Sequence, residues 1–304
     1  MDLNAIRAIA NAVLYEGYML YPYRPSALKN RSQGWSFGTL VPEAYAASHA
    51  GEAFAFRAEL PVTGGGADVQ FSGEVRFLQL AGKSDSAVWS DAIERSVALP
   101  AIVLADLLAA PVDVAFAFEA AGEQPCYPVR GTASVLAEAI ADTAIKISLS
   151  VRNESTPALD WNTREHALTQ ALVSAHAVVI VSGGEFVSLL DPPEELCAVA
   201  ENCRQQGVFP VLTGEEGEHA AMLVSPIILY DYPKIAEQSH GDFFDGGEID
   251  ELLTLRVLTL TADEKRQVRA AGDRARRLLQ RTEALTPEEI IKLHGVTRGL
   301  PRKE

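Results

Sequence analysis

Apolar positions along this chain keep two different periods. Near the N-terminus, Ile6, Ile9, Ala10, Val13 and Leu14 follow the i, i+3, i+4, i+7, i+8 stripe of a helix with one buried face, and Gly17 offers a stop. From Ala53 to about Ser155 the period falls to two. "AFAFRAEL", "DVQFSGEVRFLQL", "VDVAFAFEA" and "IKISLSVRNES" alternate apolar with small or polar residues, which predicts half-buried strands of an antiparallel sheet or sandwich. "TGGGAD" supplies a turn between the first two, and no Lys-Ser or Lys-Thr follows it as a phosphate loop would require. "VWSDAIERSVALPAIVLADLLAAP" predicts a helix interrupted at Pro100.

"NESTPALDWNT", Asn153 to Thr163, is rich in turn formers and reads as a linker. Beyond it, a short helix is expected from about Arg164 to Ser174. "HAVVIVSGGEFVSLLDPP" then reads as a hairpin of two apolar strands joined at Gly183 and Gly184. Asp191, Pro192 and Pro193 end it and open another helix, and "GVFPVL" and "AAMLVSPIILY" predict two more strands. The expected fold is α+β, with an antiparallel β-sheet or sandwich core, an N-terminal helix and a helical C-terminal segment. Residues 1–155 form the strand-rich part and 156–304 a mixed α+β segment, as two domains or one continuous domain.

Composition narrows the function classes. A net charge of −15 opposes binding to a phosphate backbone or an anionic bilayer, so neither nucleic acid nor membrane is an expected partner. No uninterrupted apolar run approaches a membrane span, and charges and Asn occupy the place of a signal peptide's apolar centre, so the expected location is cytoplasmic. Cys126, Cys197 and Cys203 form no C-x-x-C pair and read as buried structural thiols. On one helix Cys197 and Cys203 would stand roughly 120° apart and could not share a face.

The densest set of reactive groups lies in "SPIILYDYPKIAEQSHGDFFDGGEIDE", Ser225 to Glu251. Helix initiation accounts for most of it. Asp245 and Glu248 have the D-x-x-E spacing of a capping box, and negative charge at a helix N-terminus is stabilised by about 0.3 to 1 kcal/mol per group. "TADE" and "TPEE" repeat the box downstream. A metal site built from His240, Asp242 and Asp245 is the alternative, but no metalloprotease or EF-hand spacing fixes its geometry. No metal or other cofactor is expected. From Glu264 to Arg281 the charge reverses, with seven basic residues against two acidic ones, which suits internal neutralisation, solvation or an acidic partner. Tyr21, Tyr23, Arg24, Lys29, Arg31 and Trp35 crowd a proline-interrupted loop with the residue types that dominate protein interfaces, although packing on the first helix is the competing role.

"YPYRPSALKNRSQGWSFGTLVPEAY", "HAVVIVSGGEFVSLLDPP", "SPIILYDYPKIAEQSHGDFFDGGEIDELLTLRVLTLTADEK" and "TPEEIIKLHG" resemble an uncharacterised protein family associated with nickel-iron hydrogenase gene clusters. The strand-rich segment Ala53 to Ser155 contributes little to the likeness. The resemblance implies a non-enzymatic accessory protein for hydrogenase maturation, assembly or regulation. Its implied partner is a hydrogenase subunit or an assembly intermediate. A maturation enzyme, such as a hydrolase, or a metal-handling protein with its site near His240, Asp242 and Asp245, is the alternative. The resemblance carries no catalytic residues that could be assigned here.

Overall fold

The computed structural model describes residues 6–11, 38–64, 68–81, 91–119, 126–141, 144–158, 163–234 and separate positions between 260 and 286. Two compact units divide the chain, one of residues 1–18 and 34–233, the other of 19–33 and 234–304. All ten described strands belong to the first. They are β1 (Ala55–Thr63), β2 (Gln70–Ala81), β3 (Asp91–Val103), β4 (Val112–Phe118), β5 (Val129–Ala141), β6 (Ala144–Asn153), β7 (Val173–Ser182), β8 (Glu185–Phe186), β9 (Phe209–Leu212) and β10 (Ala221–Ser225). Two five-stranded antiparallel sheets result, ordered β4-β5-β6-β1-β8 and β3-β2-β7-β10-β9.

Alternation decides which face each strand buries. Phe56, Leu60, Val135, Ile147 and Leu149 from the first sheet share one apolar cluster with Phe71, Val75, Phe77, Val179 and Met222 from the second. The two sheets therefore face each other across a single core. The second sheet also buries part of its outer face, where Val178, Val211 and Leu223 pack with Ile6 and Ala10 of the helical residues 6–11. The N-terminal stripe predicted a buried face, and Ile6 and Ala10 have it; Val13 and Leu14 lie outside the described residues.

Several elements differ from the sequence reading. The first part of the expected helix around Pro100 is strand β3, and only Leu104–Ala109 is helical. Pro100 is tolerated because β3 is an edge strand and the register against β2 shifts between Phe71 and Gly73, leaving a bulge where a missing N–H costs no ladder bond. The expected hairpin at Gly183–Gly184 is instead a crossing: β7 lies in one sheet and β8 in the other. Gly183 has a φ of 78°, and a Cβ on Gly184 would stand 3.2 Å from both Thr63 O and Val69 Cγ1. The turn thus lies against the end of β1 and the start of β2, where the chain also changes sheets. Strand β5, which the period-two reading did not single out, pairs with both β4 and β6.

Asn153–Thr163 begins as an anchored segment. The buried Asn153 amide donates to Leu40 O and Gln170 O, both at 2.8 Å, and Gln170 in turn donates to Pro128 O and Thr156 O. The expected helix after it is confined to Arg164–Leu168. A 3-10 turn Glu194–Leu196 and a helix Cys197–Glu201 follow the two prolines as expected. In the second unit, Lys265 N–H bonds Thr261 O at 2.9 Å, the bond of a first helical turn at the "TADE" box. Apart from separate helical positions between 262 and 283, the expected helical C-terminal segment lies outside the described residues, and no described element supports it. Lys265 and Arg269 pair there with Glu283 at 3.0 and 3.1 Å, so part of the basic run is neutralised internally.

Gly131 on β5 offers a test of how closely the core is fitted. A Cβ there would overlap Arg152 O and stand 2.5 Å from Phe116 Cζ. One contact is backbone and the other a core ring, so neither yields cheaply. Gly131→Ala is expected to lower stability by about 1–3 kcal/mol in urea unfolding; an unchanged midpoint would show that β5 and β6 can separate at no cost.

Candidate functional site

Beside the Asn153–Gln170 network, three polar clusters among the described residues of the first unit are built around charged or titratable groups, and their bonding shows what each can do. The first is on the outer face of the β4-to-β8 sheet. Glu59 on β1 is only 5% exposed, yet it accepts from Arg57 Nη2 and from Arg204 N–H, both at 2.8 Å, and Lys146 Nζ stands 3.5 Å away. Burial raises its pKa, but the Arg204 N–H, Lys146 and Arg57 outweigh burial and hold the carboxyl below its ordinary range. The Gln205 side chain completes the join, accepting from Glu59 N–H at 3.1 Å and donating to Glu59 O at 2.8 Å. These bonds clamp residues 204–206 alongside β1. Cys203 lies at the same join, and burial together with the Glu59 charge pushes its thiol up to about 11. A thiol so protonated is a poor nucleophile. Cys126 is buried, whereas Cys197 and Cys203 are half-buried, short of the full burial expected of them.

The second place lies on the outer face of the other sheet. Arg76 and His176 are directly opposed on β2 and β7. Arg76 donates to Asn11 Oδ1 at 2.5 Å and stands 3.7 Å from Glu94. His176, fully buried, donates from Nδ1 to Ser174 O at 2.8 Å, and neither its Nε2 nor Arg76 Nη1 has a hydrogen-bond partner among the described residues. The register slips by a residue here, and Ser174 takes up the slack with a φ of 54°. Desolvation pushes His176 down to about 4, with a smaller contribution from Arg76. The ring is therefore neutral near pH 7 and too weak a base for proton transfer there.

At the third place a strand edge is closed. Leu212 N–H donates to Asp231 Oδ1 and Leu212 O accepts from Tyr232 N–H, both at 2.8 Å, while Ser188 Oγ donates to Asp231 Oδ2 at 2.5 Å. Ser188 Oγ also accepts from Leu190 and Asp191 N–H, which ties the 188–191 turn to the same carboxylate. All of these bonds hold the chain in place. Among the described residues, no three His, Cys, Asp or Glu side chains gather as a metal-binding group, and no helix is long and apolar enough to cross a membrane.

The clamp at Asp231 has a consequence for the surface. Residues 226–230 run from the end of β10 to Asp231. Ile227 N–H is held by Ser225 Oγ at 3.1 Å, and Ile227 and Leu229 pack against the cluster containing Ile6 and Leu223. The intervening side chains point outward: Ile228 is 76% exposed and Tyr230 88%. Leu190, 54% exposed, sits on the turn tied to Asp231. Tyr21, Tyr23, Arg24, Lys29, Arg31 and Trp35 lie outside the described residues, as do His240, Asp242 and Asp245. The sequence reading singled out none of Glu59, Arg76, His176, Ile228 or Tyr230 as a site. Only the last two carried a signal, two large apolar side chains immediately before a polar turn.

Two of the shifted groups, His176 and Cys203, can be followed directly. His176 titrates near 6.5 when unfolded and near 4 when folded, so the unfolded chain takes up the proton first. Its contribution to stability is complete above pH 6.5 and should fall by about 3 kcal/mol between there and pH 4. Urea midpoints taken from pH 7 to 4 should show this slope, and His176→Gln should flatten it. A thiol near 11 is roughly a hundred times less ionised at pH 8 than one at its ordinary value near 9. In the native protein Cys203 should therefore be alkylated at least about tenfold more slowly than in denaturant, the higher nucleophilicity of a more basic thiolate offsetting part of the loss, as followed by mass spectrometry; equal rates would refute the shift.

No known protein-family model matches the chain, and no curated protein matches it, so the likeness to the hydrogenase-associated family rests on the quoted stretches alone.

Proposed function

We propose that this is a non-enzymatic accessory protein that acts by binding another protein, with residues 226–230 as part of the contact surface. The observation that carries the reading is the fixed outward presentation of Ile228 and Tyr230. Two neighbours, Ile227 and Leu229, anchor the segment from beneath, and Ser225 and Asp231 hold its ends. Large apolar side chains held in this way lose little freedom when a partner covers them, which favours affinity. Isolated exposed apolar residues need no explanation, but two on one short, pinned segment form a defined feature.

The partner we propose is a nickel-iron hydrogenase subunit or assembly intermediate, met in the cytoplasm. Its support is that "SPIILYDYPKIAEQ", part of a stretch carrying the family resemblance, contains this segment. Tagged protein expressed in its native host should co-purify hydrogenase subunits. The double variant Ile228→Ser with Tyr230→Ala should lose them while keeping its unfolding temperature, because both side chains are exposed. Co-purification that survives the double change would remove this segment from the contact, and absence of hydrogenase subunits with the unaltered chain would overturn the choice of partner.

A further inference from the structure

The four sheet edges are not equally protected. At β9, Pro210 has no N–H to offer, and Leu212, two residues on and facing the same way, has both backbone groups taken by Asp231 and Tyr232. The β3 edge is bent by the bulge at Pro100, and β8 is two residues long. The fourth edge, β4, has none of these devices. It is seven residues long, Val112-Asp-Val-Ala-Phe-Ala-Phe118, with no proline, no lysine and a single charge. It pairs with β5 along its whole length in unbroken register. Among the described residues, no backbone group bonds its other side.

We propose that β4 is a self-association edge, on which two copies of this chain pair their β4 strands antiparallel about a two-fold axis at Ala115. The sequence of the strand is close to self-complementary about that residue. In this register Val114 faces Phe116 of the second copy, Val112 faces Phe118, Asp113 faces Ala117, and the two Ala115 residues meet at the axis. All four inner positions, Val112, Val114, Phe116 and Phe118, already belong to the core cluster or pack on it, and pairing continues that apolar face from one copy into the other. A shift of one residue would set inner against outer positions.

Charge on the outer face favours the same register. Asp113, Ala115 and Ala117 are exposed, and the β5 residues beside them are Ser134, Thr132 and Arg130. Across the axis, Asp113 therefore meets Ala117 of the second copy, with Arg130 of that copy one strand further on. Two strand spacings amount to about 10 Å, and alanine leaves the path between them open, so an extended guanidinium can reach the carboxylate. Symmetry forms this pair twice and keeps the only charge on the strand from facing its like. Arg130 now bonds Glu119 at 2.9 Å with both side chains more than half exposed, a contact readily exchanged. Glu119, just past the strand, falls diagonal to Asp113 of the second copy with Arg130 beside it, so in a chain of net charge −15 no carboxylate of the strand directly faces another.

Sedimentation velocity on the full chain at about 100 µM, where even a weak dimer is populated, should give twice the 32.7 kDa chain mass. Ala115→Lys places two ammonium groups at the axis on an exposed position. It should weaken association roughly tenfold or more while leaving the unfolding temperature unchanged. Asp113→Lys should weaken it too, by setting a cation against Arg130 of the second copy, and Arg130→Glu in the same chain should restore it. A monomeric wild type at that concentration overturns the proposal. So does a dimer insensitive to Ala115→Lys. Should that variant fail to fold, the charge exchange decides: loss followed by rescue supports this register, and either no loss or no rescue excludes it.

Discussion

The structure depends on two five-stranded sheets burying their apolar faces against each other. Neither sheet is built from a continuous stretch of chain, since β1 and β8 belong to one and β2 and β7 to the other. The chain must therefore change sheets, and two of those changes meet: the β7–β8 turn packs on the end of β1 and the start of β2. Gly183 adopts a φ of 78° that a Cβ would strain, and Gly184 leaves only 3.2 Å between a notional Cβ and Thr63 O. Small residues at this point let two crossings share one corner.

Much of the strand content was legible because β1, β2, β4 and β6 carry polar or small residues on their outer faces, whereas β7 and β10 are buried on both. β1, β2, β4 and β6 alternate visibly, and each occurs where the period falls to two. β3 was hidden by Pro100, which is compatible with a strand only at an edge or a bulge, and neither can be seen without knowing the neighbours. The Gly183–Gly184 turn misled for a related reason. Two glycines between apolar runs specify a tight turn, but whether the strands pair or part is decided by which sheet has room for the second. Pairing choice is a long-range property, and local periodicity does not contain it.

The same limit applies to the polar clusters. Glu59 meets Arg204 and Gln205 across almost half the chain, and His176 meets Arg76 only through the β2–β7 register. Taken singly in the sequence, these residues are ordinary surface types. Their burial reveals structural roles: Glu59 holds a crossing segment to β1, and Asn153 gathers three stretches of backbone around one amide. The acidic, histidine-containing run that invited a metal reading, His240 to Asp245, lies outside the described residues.

Asp231 connects edge protection to surface display. Left alone, the outward N–H and C=O of Leu212 would invite an incoming strand. Covering them requires the chain beyond β10 to return along β9, and that return path is residues 226–230. Ile227 and Leu229 gain burial by packing beneath it, while alternation along an extended segment forces Ile228 and Tyr230 the other way. The exposed pair is thus a geometric product of closing the edge. Because the carboxylate, the backbone bonds and the two partly buried side chains all fix the same few residues, the segment presents its apolar side chains in an ordered form before any partner arrives. A partner covering them would have little ordering left to impose, so most of the apolar contact it makes would contribute to binding.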